Sequence, residues 1–172
     1  MDIHQSLSVI GLLVASAITP GPNNFIVMEA GARGGLPSAG RVTTGVLLGS
    51  LLLLACVLAG MDAALAHFAQ LPFALAVLGG SYLAWLGTSM FLRAHRPVEQ
   101  AGRASHLPSS VLGVAAFQIA NPKAWLLVTT AAATVSTVSA ALQLALFLVV
   151  VSAACLTVWG AAGAKASRWL AN

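Results

Sequence analysis

The stretch "SAITPGPNNFIVMEA", residues 16–30, decides the fold, because it places two prolines, a glycine and two asparagines inside an otherwise apolar helix. Proline has no amide hydrogen and restricts the residue before it, so the helix cannot continue unchanged through Pro20 and Pro22. A carbonyl left without a donor costs on the order of several kcal/mol in hydrocarbon, so such breaks persist where they are packed in protein or line a water-filled cavity. The stretch therefore predicts a broken membrane helix beside a cavity.

The composition is that of a membrane protein. Of 172 residues, 59% are hydrophobic and 7% are charged, whereas about a quarter are charged in a soluble domain. The net charge is +4, but the basic residues fall in short clusters between apolar runs rather than along a polar face, so no nucleic-acid partner is predicted. We predict an all-α membrane protein with a single transmembrane domain over residues 1–172 and the lipid bilayer as its surroundings.

Five membrane spans are predicted, because a crossing helix needs about 20 mostly apolar residues. Span two covers Val42 to Met61, and span three covers Leu71 to Leu92. The uncharged run from Ala124 to Ala164 is too long for one crossing and is predicted to turn at Thr134 to Ala140, so span five covers about Ala141 to Gly163. Spans one and four each consist of two short apolar halves joined through a break.

The second break resembles the first and lies about 100 residues later. Apolar residues 107–120 lead into "NPK", residues 121–123, as residues 6–19 lead into "PGPNN". Paired broken helices are typical of transporters with inverted repeats, whose sites lie near the bilayer midplane. We therefore predict an inverted 3+3 repeat with the sixth helix missing, with repeat one at about 6–92 and an incomplete repeat two at about 107–172.

The two breaks are predicted to meet and form a substrate site. The half-helix that begins at Asn23 and Asn24 offers free amide hydrogens and a positive dipole end to a carboxylate, while freed carbonyls such as that of Gln118 suit an ammonium group. Lys123, at mid-depth, needs a partner or an aqueous path, since its insertion costs about 2.5 to 3.5 kcal/mol. A zwitterion fits this arrangement. The predicted binding residues are Thr19, Pro20, Gly21, Pro22, Asn23, Asn24, Gln118, Asn121, Pro122 and Lys123.

The basic residues predict the orientation. Under the positive-inside rule, the connections that carry them are cytoplasmic, which places the N-terminus outside and the C-terminus in the cytoplasm. Two local contacts are also predicted: an ion pair between Glu29 and Arg33, and close helix packing at Gly45 and Gly49. Seven of the eight basic residues share the predicted cytoplasmic face: Arg33, Arg41, Arg93, Arg96, Arg103, Lys165 and Arg168.

No catalytic nucleophile set, metal cluster or phosphate-binding loop is recognisable, so neither an enzyme nor a cofactor is predicted. Cys56 and Cys155 lie in separate apolar runs without a CxxC motif. They follow Pro20 and Pro122 by 36 and 33 residues, which leaves open an alternative function as a membrane thiol-disulfide carrier. A truncated copy with no transport activity is a third possibility.

Three motifs carry a resemblance to a known family. "TPGPNNFIVMEAGARGG", "GGSYLAWLG" and "FQIANPKAW" occur in this order, and together they resemble the LysE/RhtB family of amino-acid exporters over essentially the whole chain. The resemblance implies a six-helix, homodimeric inner-membrane protein that exports amino acids or close derivatives using the proton gradient. The family's two signature loops match Thr19 to Asn24 and Asn121 to Lys123.

The same motifs look most like the branch that contains cysteine and O-acetylserine exporters. One position departs from the family pattern. Many members have an acidic residue directly after the glycine of span two, where this chain has Ser50 after Gly49. The resemblance therefore implies no carboxylate proton carrier at that position.

Overall fold

The computed structural model describes residues 1–60 and 107–170, with isolated helical positions at 77, 81, 84 and 88. Within the two long ranges all regular structure is α-helical. Almost all of predicted span three, and the connections on either side of it, lie outside the described residues. The helices are α1 (Ile3–Ile18), α2 (Pro22–Leu58), α3 (Val111–Ala120), α4 (Pro122–Ala132) and α5 (Val138–Leu170).

Several of these helices are long and apolar enough to cross a membrane. In the described part of the chain, α2 and α5 qualify alone, and α3 with α4 qualify as a pair that is bent by 74° at the break. At 16 residues, α1 is too short to cross by itself. The predicted turn after Thr134 is confirmed, because α4 ends at Ala132 and α5 begins at Val138. The all-helical membrane prediction is thus confirmed.

A break not predicted from the sequence divides α2. Its 37 residues would extend about 55 Å at 1.5 Å per residue, well beyond the hydrocarbon thickness of about 30 Å. Gly34 (φ −132°, ψ 17°) and Gly35 (φ 67°, ψ −165°) leave the helix, and Pro37 lies in the first turn of the segment that follows. The prediction that Arg41 lies in the connection between spans one and two was therefore wrong. Two glycines make the whole connection, so the helix resumes before Arg41.

Among the residues that the structure describes, the core forms two apolar clusters at different levels of the bundle. We call them the first and second core clusters. The first contains Val9, Leu13, Leu53, Leu54, Val57, Ala124, Val128, Ala131, Leu144 and Leu148. The second contains Ile26, Val27, Ala30, Ala39, Val42, Val46, Leu107, Val114 and Leu156.

Both broken helix pairs run through the bundle from one core cluster to the other. Val9 of α1 lies in the first cluster and Ile26 of α2 in the second. The α3–α4 pair runs the opposite way, from Val114 in the second cluster to Ala131 in the first. The chain therefore continues across the bundle through each break. An inverted repeat requires such opposite directions, and the repeat itself stays a prediction.

The glycine pair Gly45 and Gly49 packs α2 against α3, as predicted. A methyl group at Gly45 would lie 2.7 Å from the Val111 carbonyl oxygen, and one at Gly49 would lie 2.7 Å from that of Ala115. No side chain fits at either position. The close approach brings α3 within reach of the α2 residues that follow Gly45.

A second close crossing joins α2 to α5. A methyl group at Gly31 would overlap the backbone of Gly160, and one at Gly163 would overlap the carbonyl of Met28. Such contact between backbones is typical of small-residue interfaces between membrane helices. The crossing fixes the first half of α2, and with it the first break, against α5.

Two of the described basic residues, Arg33 of α2 and Lys165 of α5, lie near the same close crossing. Arg33 follows Gly31, and Lys165 follows Gly163, so both lie near the close crossing. The N-terminal ammonium group instead donates to Gln143 Oε1 at 3.0 Å, at the start of α5 and the other end of the bundle. The grouping of Arg33 with Lys165 agrees with the predicted topology, while the side of the membrane stays a prediction. The predicted ion pair of Glu29 with Arg33 is present at 2.9 Å.

Candidate functional site

The backbone leaves helical geometry at the residues predicted from the prolines. Thr19 (φ −61°, ψ 126°), Gly21 (φ −166°, ψ 177°) and Asn121 (φ −91°, ψ 102°) are all extended. Each break is followed by a proline in the first turn of the next helix, Pro22 in α2 and Pro122 in α4. Proline suits that position because its missing amide hydrogen would have no helical acceptor there. The α2 helix thus begins one residue before the predicted Asn23.

The broken end of α1 is held by side chains. Thr19 Oγ1 donates to the Ala15 carbonyl at 2.6 Å, and Asn24 Nδ2 donates to the Ala17 carbonyl at 2.7 Å across the break. Asn24 is buried. Its side-chain amide nitrogen therefore already binds the protein, while its backbone amide lies in the first turn of α2, where the helix supplies no acceptor.

The helices that follow the two breaks differ at their N-termini. In α4, Asn121 Oδ1 accepts from the Lys123 backbone amide at 3.1 Å and caps the helix. In α2 the capping position is Gly21, and no side chain caps the helix. The amide hydrogens of Asn23 and Asn24 lie in this uncapped first turn. A helix N-terminus of this kind favours an anion through its free amides and its dipole.

Lys123 reaches from the second break to the first. Its Nζ donates to the Thr19 carbonyl oxygen at 2.6 Å, next to the C-terminal end of α1, where the helix dipole favours a cation. A methyl group at Gly21 would lie 3.0 Å from Nζ and 3.1 Å from Cδ of Lys123. The side chain thus passes directly over Gly21. The partner that a lysine at this depth was predicted to need is a carbonyl of the opposite break.

A chain of side-chain amides also connects the breaks. Asn121 Nδ2 donates to Asn23 Oδ1 at 3.2 Å and to Gln118 Oε1 at 3.1 Å. Gln118 Nε2 donates to Ser50 Oγ at 2.7 Å and, at 3.4 Å, to the Val46 carbonyl. Gln118 and Asn121 are each only 1% exposed. One polar network thus connects the two breaks to each other and to the second half of α2.

The prediction that the Gln118 carbonyl is free for a ligand was wrong. The Asn121 amide donates to it at 3.2 Å, in a tighter turn than that of the α-helix. Proline removed the usual donor, but the residue before the proline replaced it. Gln118 contributes through its side chain, which orients Asn121.

The two breaks open into a cleft with about 540 Å³ of free space, including the part on its open side. Six of the ten predicted binding residues line it: Pro22, Asn23, Asn24, Gln118, Asn121 and Lys123. The other four predicted residues are not among its lining, although Thr19 binds Lys123 and Gly21 lies beneath it. Those four are Thr19, Pro20, Gly21 and Pro122.

Sequence reasoning missed the other residues that line the cleft. They are Ser16 and Ala17 of α1, Val46 and Ser50 of α2, Ala124, Leu127 and Val128 of α4, and Leu148, Ser152 and Leu156 of α5. Val46 and Ser50 are four residues apart in α2, and Leu148, Ser152 and Leu156 repeat every four residues in α5. This spacing places each set on one face of its helix. A serine at the centre of an apolar stripe was the available signal.

Lys123 is the one charged residue among the described residues that line the cleft. No group of three His, Cys, Asp or Glu side chains in the described part could hold a metal ion. The arrangement therefore offers one cation, one uncapped helix N-terminus and several neutral polar groups. These suit a carboxylate that arrives with an ammonium group of its own.

The two cysteines lie at different levels of the bundle. Both are free thiols. Cys56 neighbours Val57, in the first core cluster, which also holds Leu148 of α5, whereas Cys155 neighbours Leu156 in the second. A separation of seven residues along α5, from Leu148 to Cys155, is about 10 Å, and a disulfide requires Cα atoms within about 7 Å. The geometry gives the thiol-carrier alternative no support.

Comparison with known proteins agrees with the family suggested by the motifs. A family model described as LysE type translocator matches residues 14–172, all but the first 13 residues. The match includes both breaks and every residue that lines the cleft. Neither the curated proteins nor the solved structures gave a significant match. The chain belongs to the family of LysE type translocators.

Proposed function

We propose that this membrane translocator exports a small neutral amino acid, or a close derivative, through the cleft between the two breaks. One observation carries the proposal: the uncapped N-terminus of α2 and the ammonium group of Lys123 lie at the same cleft. Two different broken helices thus each contribute a group that attracts an anion, and together these groups can bind a carboxylate.

The carboxylate and the ammonium group of the substrate bind at separate positions in the cleft. The carboxylate lies between Lys123 and the backbone amides of Asn23 and Asn24. The ammonium group lies at the C-terminal end of α1, where the Thr19 carbonyl now accepts from Lys123 at 2.6 Å. When a carboxylate binds Lys123, this carbonyl becomes free to accept from the substrate. The substrate thus replaces an internal contact with two contacts of its own.

The charges of the cleft favour a neutral amino acid over a basic one. A second positive charge on the substrate would meet Lys123, and the described lining residues include no carboxylate to pair with it. The resemblance to the branch that contains cysteine and O-acetylserine exporters points the same way. Small neutral substrates are therefore part of the proposal.

Energy coupling, assembly and orientation complete the proposal. The proton gradient drives export. Ser50 occupies the position where many family members have an acidic residue, so no carboxylate there can carry the proton. Among the described residues that line the cleft, Lys123 is the titratable one. The protein acts as a homodimer in a bacterial-type inner membrane, with its N-terminus outside. The opposite directions of the two broken pairs support an inverted repeat.

Efflux from proteoliposomes loaded with single amino acids, with and without a proton gradient, tests the proposed function. Lys123→Ala should reduce efflux by about tenfold or more, the equivalent of one lost hydrogen bond to a charged group. Pro22→Ala should reduce efflux as well, because it restores an amide hydrogen at the break and removes the proline that keeps the helix interrupted. Lys165→Ala is the matched control, because Lys165 is exposed and lies far from the cleft. Efflux at the level of the unmodified protein in both cleft variants would contradict the mechanism. A protein that exports no amino acid would support the inactive-copy alternative.

A further inference from the structure

We propose that Ser50 and Ser152 form a subsite that selects substrates by a hydrogen bond to the side chain. The inference rests on the proposed function and assigns a task to cleft residues that do not belong to either break. Its ligand is the side chain of a small, uncharged amino acid that carries one hydrogen-bonding oxygen or sulfur atom.

The two serines lie on facing helices at the same level of the cleft. Ser50 belongs to α2 and Ser152 to α5, and both line the free space. On the α2 side, Ser50 lies between Val46 of the second core cluster and Leu53 of the first. On the α5 side, Ser152 lies between Leu156 of the second cluster and Leu148 of the first. Both serines therefore lie in the gap between the two clusters.

Ser50 retains a hydrogen that it can donate. Ser50 is 9% exposed, and its Oγ accepts a hydrogen bond from Gln118 Nε2 at 2.7 Å. In the described part of the chain its hydroxyl hydrogen has no acceptor. Gln118 fixes the position of the oxygen and, by donating to it, leaves the Ser50 hydroxyl as a donor toward the cleft.

Ser152 is free of the contact that hydroxyl groups in membrane helices usually make. A serine or threonine inside a helix commonly donates to the carbonyl four residues earlier. Thr157, five residues further along α5 and exposed, does so with Ala153 at 2.7 Å. Ser152 makes no such bond in the described structure and lines the cleft. Its hydroxyl can therefore both donate to a ligand and accept from one.

Apolar walls make these two hydroxyls selective. Val46, Leu148 and Leu156 surround the serines and offer no side-chain hydrogen bond. An apolar substrate side chain of equal size would fill the space but leave the hydroxyls without a ligand, and a basic one would lack a counter-ion. Sites built to hydrogen-bond a substrate group discriminate strongly against the isostere that lacks it. The subsite therefore favours a side chain with a hydroxyl or similar group.

The test compares L-serine with L-2-aminobutyrate, which has a methyl group in place of the hydroxyl. Efflux is measured for each amino acid in proteoliposomes containing the full chain. We expect kcat/KM to favour serine by about tenfold in the unmodified protein, and Ser152→Ala to lower that ratio by about fivefold with little change for 2-aminobutyrate. Ser139→Ala, an exposed serine near the start of α5, should leave the ratio unchanged.

The outcomes separate the subsite from the proposed function. Export of both amino acids with a ratio near one, or with a serine preference that survives in Ser152→Ala, would overturn the subsite and leave the exporter intact. Ser50→Ala should also lower the ratio, but it removes a partner of Gln118 as well, so Ser152→Ala is the decisive variant. No export of any amino acid would overturn the proposed function, and the subsite with it.

Discussion

At the scale of single residues, Gly21 and Lys123 define the site together. Gly21 is extended with φ near −166°, a conformation that any residue can adopt. Its missing side chain therefore matters for another reason: the Lys123 side chain passes over it to reach the Thr19 carbonyl. The glycine provides space for a lysine, rather than an unusual backbone angle.

This relation makes Gly21→Ala a specific probe of Lys123. The new methyl group would lie 3.0 Å from the tip of a flexible side chain, so the lysine should move and the fold should tolerate the change. We expect efflux to fall by about threefold to tenfold, the equivalent of about 0.7 to 1.4 kcal/mol, with unchanged thermal stability. Gly11→Ala is the matched control, because nothing lies within 4 Å of its added methyl group. Unchanged efflux in Gly21→Ala would show that the position of Lys123 is unimportant.

Asn121 has two tasks that a pair of variants can separate. Its oxygen caps α4, and its nitrogen links Asn23 to Gln118. Ser110 serves as the comparison, because its hydroxyl oxygen caps α3 by accepting from the Gly113 amide at 3.0 Å. In the described structure its side chain makes no hydrogen bond to a residue of either break. We expect Ser110→Ala to lower the free energy of unfolding by about 1 kcal/mol. Asn121→Ala should lower it by about 2 to 4 kcal/mol, because buried amides also lose a partner. Equal losses in a detergent unfolding titration would contradict the role of the network.

At the scale of helices, the breaks were predictable and the contacts between helices were not. Proline dictates where a helix must change direction, so Pro22 and Pro122 placed both breaks from the sequence. The Gly34–Gly35 break was missed, because the chain resumes its helix too soon to show a polar loop. For Gln118, the sequence led us to expect a free backbone carbonyl rather than a role for the side chain. The hydrogen-bond partners of a side-chain amide depend on which helices pack around it, and the sequence does not show this. Ser152 was missed for the same reason.

The crossing of α2 and α5 should be the least tolerant contact between helices. Here backbone meets backbone, and no flexible side chain can yield to an added methyl group. We expect Gly163→Ala to lower the free energy of unfolding by about 1 to 3 kcal/mol through overpacking. Gly40→Ala, within α2 and with open space around its added methyl group, should be neutral or slightly stabilising. A Gly163→Ala protein with unchanged stability would show that the helices can separate without cost.

At the scale of the whole molecule, the described part of the bundle carries basic residues near one end and the N-terminus at the other. Arg33 and Lys165 lie near the close crossing, whereas the N-terminal ammonium group binds Gln143 at the other end. Composition and charge were enough to predict this grouping. They could not show how closely the breaks approach each other, because that distance depends on packing between residues about 100 positions apart.

Labelling of introduced cysteines with a membrane-impermeant maleimide tests the orientation. In a chain whose Cys56 and Cys155 are replaced by alanine, Ser136→Cys lies in the turn before α5 and Lys165→Cys lies near its far end. We expect intact cells to label Ser136→Cys only, and inside-out vesicles to label Lys165→Cys only. The reverse pattern would place the N-terminus in the cytoplasm.

Protection of the cleft by its substrate tests most directly whether an amino acid binds between the two breaks. In the same cysteine-free chain, Ser16→Cys places a thiol among the cleft residues, and Ser136→Cys places one in an exposed turn as the control. The rate of thiol modification is measured with and without a saturating concentration of a transported amino acid. We predict at least fivefold slower modification of Ser16→Cys and no change at Ser136→Cys. Equal rates with and without substrate at Ser16→Cys, in a protein that still exports the amino acid, would contradict a binding site between the breaks.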